Sequence, residues 1–439
     1  MNFIFKLALF FIPFDNLFFA PSRGWAAISP VIFFIYLMLH FKHFITLITK
    51  KYQFKVVFML FLLSYSGILY FFYGPNVSNI GDTMISLILG ICFYFALIIR
   101  YVVLKNSINK DLRVLLSAYT LSFFYGVGKF IALKLNIGIA LSAYKLIEKR
   151  YYSRLAFSFT EPSFISLHVF GILLLIYYLN KDEYIKRRTG HLIIAFSALT
   201  LISGSSGRFM VDITIIFILF IMKSLFSSKV KAKHKILSIV IIAVFSVVFV
   251  KVILTDSRIS SIVVKGVYGD PSTASRFFRI NASIKGYEEE PVRALFGAGI
   301  GNAYKFLQYG YYNALLQFKN FYVTEVMGLQ TSTENQLFSM PIKLISEIGI
   351  IGFILLIGSI FRFRRKYKGS LLALLTILWL YVQFDSLAFY SIWLYIFATK
   401  YKVFDKSSIN NKDEAKKLNI KNNDDALILN LESNGGQDG

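Results

Sequence analysis

Arginine is the residue type in this chain best suited to carrying chemistry. Thr255 to Gln336 is the one long polar interval between hydrophobic runs. Its first half holds Arg258, Arg276, Arg279 and Arg293, with Lys265 and Lys285 between them. Guanidinium forks pair bidentately with carboxylates or phosphates, so such a cluster outside a membrane needs an anionic partner. Arg276 and Arg279 stand three apart in STASRFFRINAS and share a face if the segment is helical. They then offer two guanidiniums to one phosphate. The plainer reading of the same residues, with Phe277 and Phe278 between them, is an amphipathic helix lying on lipid headgroups.

Earlier in the chain, Arg208 follows a Gly/Ser turn in LISGSSGRFMVDI, where flexible backbone permits close approach of a ligand. A tight turn alone explains the glycines but not an arginine on the side with fewer positive short loops. Arg154 precedes Glu161-Pro162-Ser163 in SRLAFSFTEPS. It reads either as a ligand contact or as a headgroup anchor. Glu161 and Pro162 also fit an ordinary helix start. Glu161 and Glu334 are the carboxylates that could serve an acceptor hydroxyl as general base. The GAGIG run at 297–301 looks superficially like a phosphate-binding glycine loop but lacks the strand–helix context of a nucleotide fold. Glu288, Glu289 and Glu290 read as a solvated acidic patch.

The elements that must position these residues are membrane helices. Of 439 residues, 56% are hydrophobic, 46 are Phe and 27 Tyr, above the roughly 45–50% apolar content of soluble domains. Repeated apolar runs of about 17–25 residues are transmembrane candidates. We read about twelve, at roughly 3–19, 25–41, 56–73, 83–104, 114–133, 161–180, 190–204, 208–226, 236–254, 336–361, 369–385 and 386–400. Pro13, Asp15 and Phe18–Phe19 make a poor signal-peptide cleavage site, so the opening run reads as an uncleaved first span.

The expected fold class is therefore all-α, a polytopic integral membrane protein. Residues 1–254 form a bundle of about nine spans with a medium outward loop at 134–160. A large outward loop covers 255–335, residues 336–400 carry the last three spans, and 401–439 is a disordered cytoplasmic tail. Orientation comes from the short loops. Lys50 and Lys51, Lys110 and Arg113, Arg187 and Arg188, Lys231 and Lys233, and Arg364 and Arg365 all fall on one side if the N-terminus is cytoplasmic. The opposite short loop, Gly74 to Asp82, has neither Lys nor Arg. The net charge of +24 thus reads as membrane orientation and not as nucleic-acid binding.

The one cysteine, Cys92, excludes a disulfide framework or cysteine metal site within one chain. His40, His43, His191 and His234 fall near cytoplasmic loops and His168 lies in a span. That distribution excludes an outward His-based catalyst or His metal site. No metal and no cofactor are expected.

PFDNLFFAPSRGW, RLAFSFTEPS, SGSSGRF, RALFGAGIGNAY and ENQLFSMPIKLISEIGIIG, in this order and with one large loop before the final spans, resemble the O-antigen polymerase and ligase superfamily of bacterial envelope glycosyltransferases. The resemblance implies an inner-membrane helical fold with a periplasmic active face. It also implies outward arginines engaging an undecaprenyl-pyrophosphate-linked glycan. Carried over, these are Arg154, Arg208, Arg276, Arg279 and Arg293, with Arg258 added by an Arg-x10-Gly spacing to Gly269. Ligases of this superfamily carry a histidine where Phe338 stands here, ahead of Glu347-Ile348-Gly349-Ile350-Ile351-Gly352, which favours a polymerase.

The reaction so implied joins lipid-linked repeat units during lipopolysaccharide O-antigen synthesis. Its partners would be the bilayer and the chain-length regulator and flippase of the same pathway. The rivals are an O-antigen ligase moving glycan to lipid A–core, a lipid-linked oligosaccharide flippase or other transporter, and a structural membrane component.

Overall fold

The computed structural model describes residues 2–17, 27–204, 206–226, 257–318, 326–364 and 371–401. Everything regular among them is helical; an isolated bridge between Leu17 and Glu148 is the nearest approach to a sheet. In chain order the helices are α1 (Asn2–Phe10), α2 (Ile28–Leu39), α3 (Phe41–Lys50), α4 (Gln53–Tyr73), α5 (Val77–Val103) and α6 (Ile108–Lys134). Next come α7 (Gly138–Ile147), α8 (Pro162–Leu179), α9 (Glu183–Ser203) and α10 (Gly207–Phe226). Then follow α11 (Ser257–Lys265), α12 (Pro271–Glu289), α13 (Pro291–Phe296), α14 (Tyr304–Tyr309) and α15 (Tyr311–Gln317). The chain closes with α16 (Met340–Arg364), α17 (Leu371–Val382) and α18 (Tyr390–Tyr401).

Among the described residues, α5, α6, α8 and the Met340–Gly358 part of α16 are long and apolar enough to cross a membrane. A fifth joins them if α2 and α3, bent by 87° at their junction, count as one broken span. The expected span at 236–254 and the tail beyond Tyr401 lie outside the described residues. The opening run departs from the expected single span over 3–19. Its helix ends at Phe10, and a turn around Pro13 sends Asp15 and Asn16 into the protein interior. Proline permits no helical hydrogen bond to its nitrogen, which is why the helix stops there.

Packing follows the apolar faces. The main core joins α1, α2, α5, α6, α8, α9, α17 and α18, with Phe5, Phe33, Phe93 and Tyr390 meeting edge to face. The outer faces remain apolar, with Phe124, Ile194, Ile354 and Leu355 all more than half exposed. A chain in water would bury most side chains of this kind, so these faces suit lipid.

The interval expected as a long loop, 255–336, is mostly helix. Asp270 caps α12 by accepting from the Thr273 N–H at 3.0 Å, and Pro271 occupies the first turn, where its missing N–H costs nothing. Ala274, Phe278 and Ala282 of α12 then pack on Leu307, Tyr311 and Ala314 to make a second, smaller core.

The two parts lock together at a broken helix. α16 runs as two pieces either side of Gly349, whose φ of 76° and ψ of 169° no helix contains. The break leaves the carbonyls of Ser346 and Glu347 without helical donors. The GAGIG segment supplies them: Ala298 N–H donates to Ser346 O at 2.8 Å and Gly299 N–H to Glu347 O at 3.0 Å. Glycine is required on both sides. A Cβ on Gly349 would lie 2.2 Å from Leu295 O, and one on Gly297 2.5 Å from Glu347 O.

Candidate functional site

The fixed face of α12 brings Arg276 and Arg279 together as their spacing predicts. Both guanidiniums lie over the Phe338 ring, at 5.0 Å and 5.4 Å from its centroid. Such stacking attracts through the ring quadrupole. Arg279 donates to Gln336 O at 2.8 Å and to Glu334 at 3.4 Å. It is 9% exposed. Burial pulls its pKa below the ordinary guanidinium value, and the nearby carboxylates Glu334 and Asp385 act against that shift. Arg276 makes no ion pair among the described residues. The Nε atoms of both are buried without a hydrogen-bond acceptor. A buried unpaired donor carries a desolvation penalty of about 1–3 kcal/mol, more when charged, which an anion would remove.

Phe338 is held from below. Its φ of 57° is left-handed, a region that bulky residues avoid at a cost of about 1–2 kcal/mol. Asp385 stabilises that conformation, since its Oδ2 accepts from the N–H groups of Leu337 and Phe338 at 2.8 Å and 2.9 Å. Asp385 sits in the connection between α17 and α18, so the last two helices determine where the aromatic platform lies.

Arg208 reaches the same region from α10. Its Nη2 donates to Leu380 O at 3.3 Å, and its Nε lies 3.4 Å from Asp212 Oδ2, close enough to attract but not aligned to hydrogen bond. Asp212 in turn accepts from Trp379 at 2.7 Å and Gln383 at 2.9 Å. The guanidinium of Arg208 interacts electrostatically with Arg276 and with Glu161. Glu161 precedes α8 and accepts from the Ser163 hydroxyl. Tyr152, whose pKa burial raises, also feels Glu161, Arg150 and Arg154, which puts exposed Arg154 at the margin of this region.

The remaining candidates lie elsewhere or are otherwise engaged. Arg293 sits on α13, 3.4 Å from Glu290 and over the rings of Tyr73 and Tyr309, away from Phe338. Arg258 is in the first turn of α11. The Arg-x10-Gly spacing that singled it out has a packing cause, because Gly269 folds back onto α11 and a Cβ there would lie 2.2 Å from Ser261 O. Glu334 is tied to Arg279. The acidic run is partly paired, with Glu288 2.7 Å from Lys285. GAGIG is no phosphate cradle: besides the two bonds to α16, Ile300 N–H reaches Ser66 at 3.4 Å and Gly301 N–H reaches the Glu347 carboxylate at 3.0 Å. Every amide it could offer an anion from Ala298 to Gly301 is already used.

Two features of this region escaped the sequence reading. Phe338 stood out only as the place of a missing histidine, and Asp385 not at all. A lone carboxylate between two apolar helices is the signal that could have found Asp385.

Chemically, the arrangement is a cluster of two guanidiniums over one aromatic ring, with Arg208 within electrostatic reach of Arg276 and carboxylates beside them. It can hold an anion with several oxygens and stabilise charge that develops on it. No family model, curated protein or solved structure matches this chain.

Proposed function

We propose that this protein is a membrane glycosyltransferase of the O-antigen polymerase type, with about twelve spans, working at the periplasmic face of a bacterial inner membrane. Its donor is an undecaprenyl-pyrophosphate-linked glycan, and Arg208, Arg276 and Arg279 hold the pyrophosphate. A hydroxyl of a second lipid-linked unit attacks the anomeric carbon of the donor sugar. A carbon–oxygen bond forms there as the bond to the phosphate oxygen breaks, and undecaprenyl pyrophosphate leaves with the electron pair. The hydroxyl proton passes to a site carboxylate, a role for Glu161, since Glu334 is engaged by Arg279.

The observation that carries this reading is the buried, acceptorless Nε atoms of Arg208, Arg276 and Arg279, two of them over the Phe338 ring and the third within electrostatic reach of Arg276. Phe338 at the ligases' histidine position weighs for a polymerase over a ligase.

Deleting the gene in its native host and resolving lipopolysaccharide on a gel tests it. The expected result is core carrying a single repeat. Bare core would point to a ligase, accumulation of unexported units to a flippase, and a full ladder would reject all three.

A further inference from the structure

Behind Arg208 stands a carboxylate to which the proposed reaction gives no role. Asp212, one turn further along α10, is 0% exposed. Its Oδ1 accepts from Trp379 Nε1 of α17 at 2.7 Å and from Gln383 Nε2, just past that helix, at 2.9 Å. Its Oδ2 accepts from nothing among the described residues, although Arg208 Nε lies 3.4 Å away. The Ser166 hydroxyl of α8 faces the same carboxylate, and its Oγ is buried and unpartnered as well. Arg208 is similarly under-used. Its side chain is 6% exposed, and its one hydrogen bond among the described residues is the 3.3 Å contact with Leu380 O.

This geometry departs from an ordinary buried ion pair. A guanidinium and a carboxylate taken out of water lock together through short, aligned bonds when nothing else engages them. Here two neutral donors hold the carboxylate by its other oxygen, and the aligned bond does not form. The charge of Arg208 is balanced, but its N–H groups are not consumed. An anion that takes those N–H groups has no strong bond to Asp212 to break first. A carboxylate locked onto the guanidinium would compete with the anion. With no carboxylate at all, the buried cation would stay unbalanced until the anion arrived.

We infer that Asp212 is a positioning residue that balances the charge of Arg208 while Trp379 and Gln383 hold it off the guanidinium, which keeps that arginine available to a phosphate. This rests on Arg208 belonging to the donor pyrophosphate site. It adds that α17 sets the arginine's grip on the anion, because Trp379 decides how strongly the internal counter-charge competes. Two substitutions follow with opposite signs. Asp212→Asn removes the competing charge; its amide oxygen still accepts from Trp379 and Gln383, and its NH2 can donate to Ser166. Trp379→Phe keeps both charges but frees the carboxylate to close on Arg208.

The test is titration of inorganic pyrophosphate, without divalent metal, into the full chain in nanodiscs. Kd should fall about tenfold in Asp212→Asn and rise about threefold in Trp379→Phe, changes of the size expected for coupling between contacting groups. With Arg208→Gln in the background, both changes should shrink to within about twofold, because the effect runs through that guanidinium. A role in stability alone would weaken binding in both variants or in neither. Wild-type protein that binds pyrophosphate, with a Kd unchanged or raised by Asp212→Asn, overturns the inference and leaves the donor-site reading standing. So does a fall in Kd that persists in the Arg208→Gln background. Should Asp212→Asn fail to fold, Trp379→Phe decides, and an unchanged or lowered Kd there overturns the inference. Wild-type protein that binds no pyrophosphate overturns the donor-site reading, and this inference with it.

Discussion

Arg279 separates the proposed site from the other arginines most sharply. Replacing it with alanine removes one charged donor from the cluster. In well-studied oxyanion sites one lost donor costs about 2.7–4 kcal/mol, or about 10²–10³-fold in kcat. The ground-state cost is smaller and comes chiefly from the 2.8 Å bond to Gln336 O, a charge-assisted contact of about 1.5–3 kcal/mol. The 3.4 Å pair with Glu334 adds little, because that carboxylate is 66% exposed. Arg279→Lys keeps the charge but cannot reach Gln336 and a phosphate together, nor lie flat on Phe338. It should fall about tenfold, a loss of about 1.4 kcal/mol. Arg293→Ala, on α13 with its own partner Glu290, should change the rate less than about threefold. The assay is the initial rate of chain extension by purified protein in nanodiscs, fed lipid-linked repeat units from a host lacking the gene. Arg279→Ala within threefold of wild type, or Arg293→Ala slower than Arg279→Ala, refutes the assignment of the arginine cluster.

Two further predictions concern the scaffold. Gly349→Ala combines a left-handed backbone with a Cβ 2.2 Å from Leu295 O, and should destabilise by several kcal/mol. Gly358→Ala on the same helix meets nothing within 4 Å and should be neutral or stabilising by up to about 1 kcal/mol; thermal midpoints in detergent compare the two, and equal midpoints would contradict the broken helix. Lys129 and Glu148 form a buried ion pair at 2.6 Å, so Lys129→Ala alone should cost about 3–5 kcal/mol by stranding the carboxylate. The double variant Lys129→Met with Glu148→Leu should recover most of that loss, and the same thermal measurement decides it.

Much of the helical frame was legible because apolar runs and helix-start residues are local signals. The run beginning at Pro162 and the one beginning at Gly207 match their expected starts within a residue. The clustering of Arg276 with Arg279 was legible for the same reason, three residues along one helix. What spacing could not carry was contact across the chain. Asp385 meets Phe338 from 47 positions away, and Arg208 meets Leu380 from 172. Nor could it reveal that 255–336 folds into helices with a core of its own, since all of them but α12 are short and the apolar residues of that core face one another. The glycine run misled in an instructive way: its amides do bind oxygens, but those of α16 and of Ser66, not a ligand's.

The donation of hydrogen bonds from residues 298 and 299 to the interrupted helix makes the two segments one exchangeable part. Moving the 255–335 layer onto another bundle would leave the carbonyls of Ser346 and Glu347 stranded in α16 and the amides of residues 298 and 299 idle in the graft. A chimera with a boundary anywhere between Gly297 and Gly349 divides that unit. Productive recombination between chains of this architecture must therefore place its junctions before α13 or after the second half of α16.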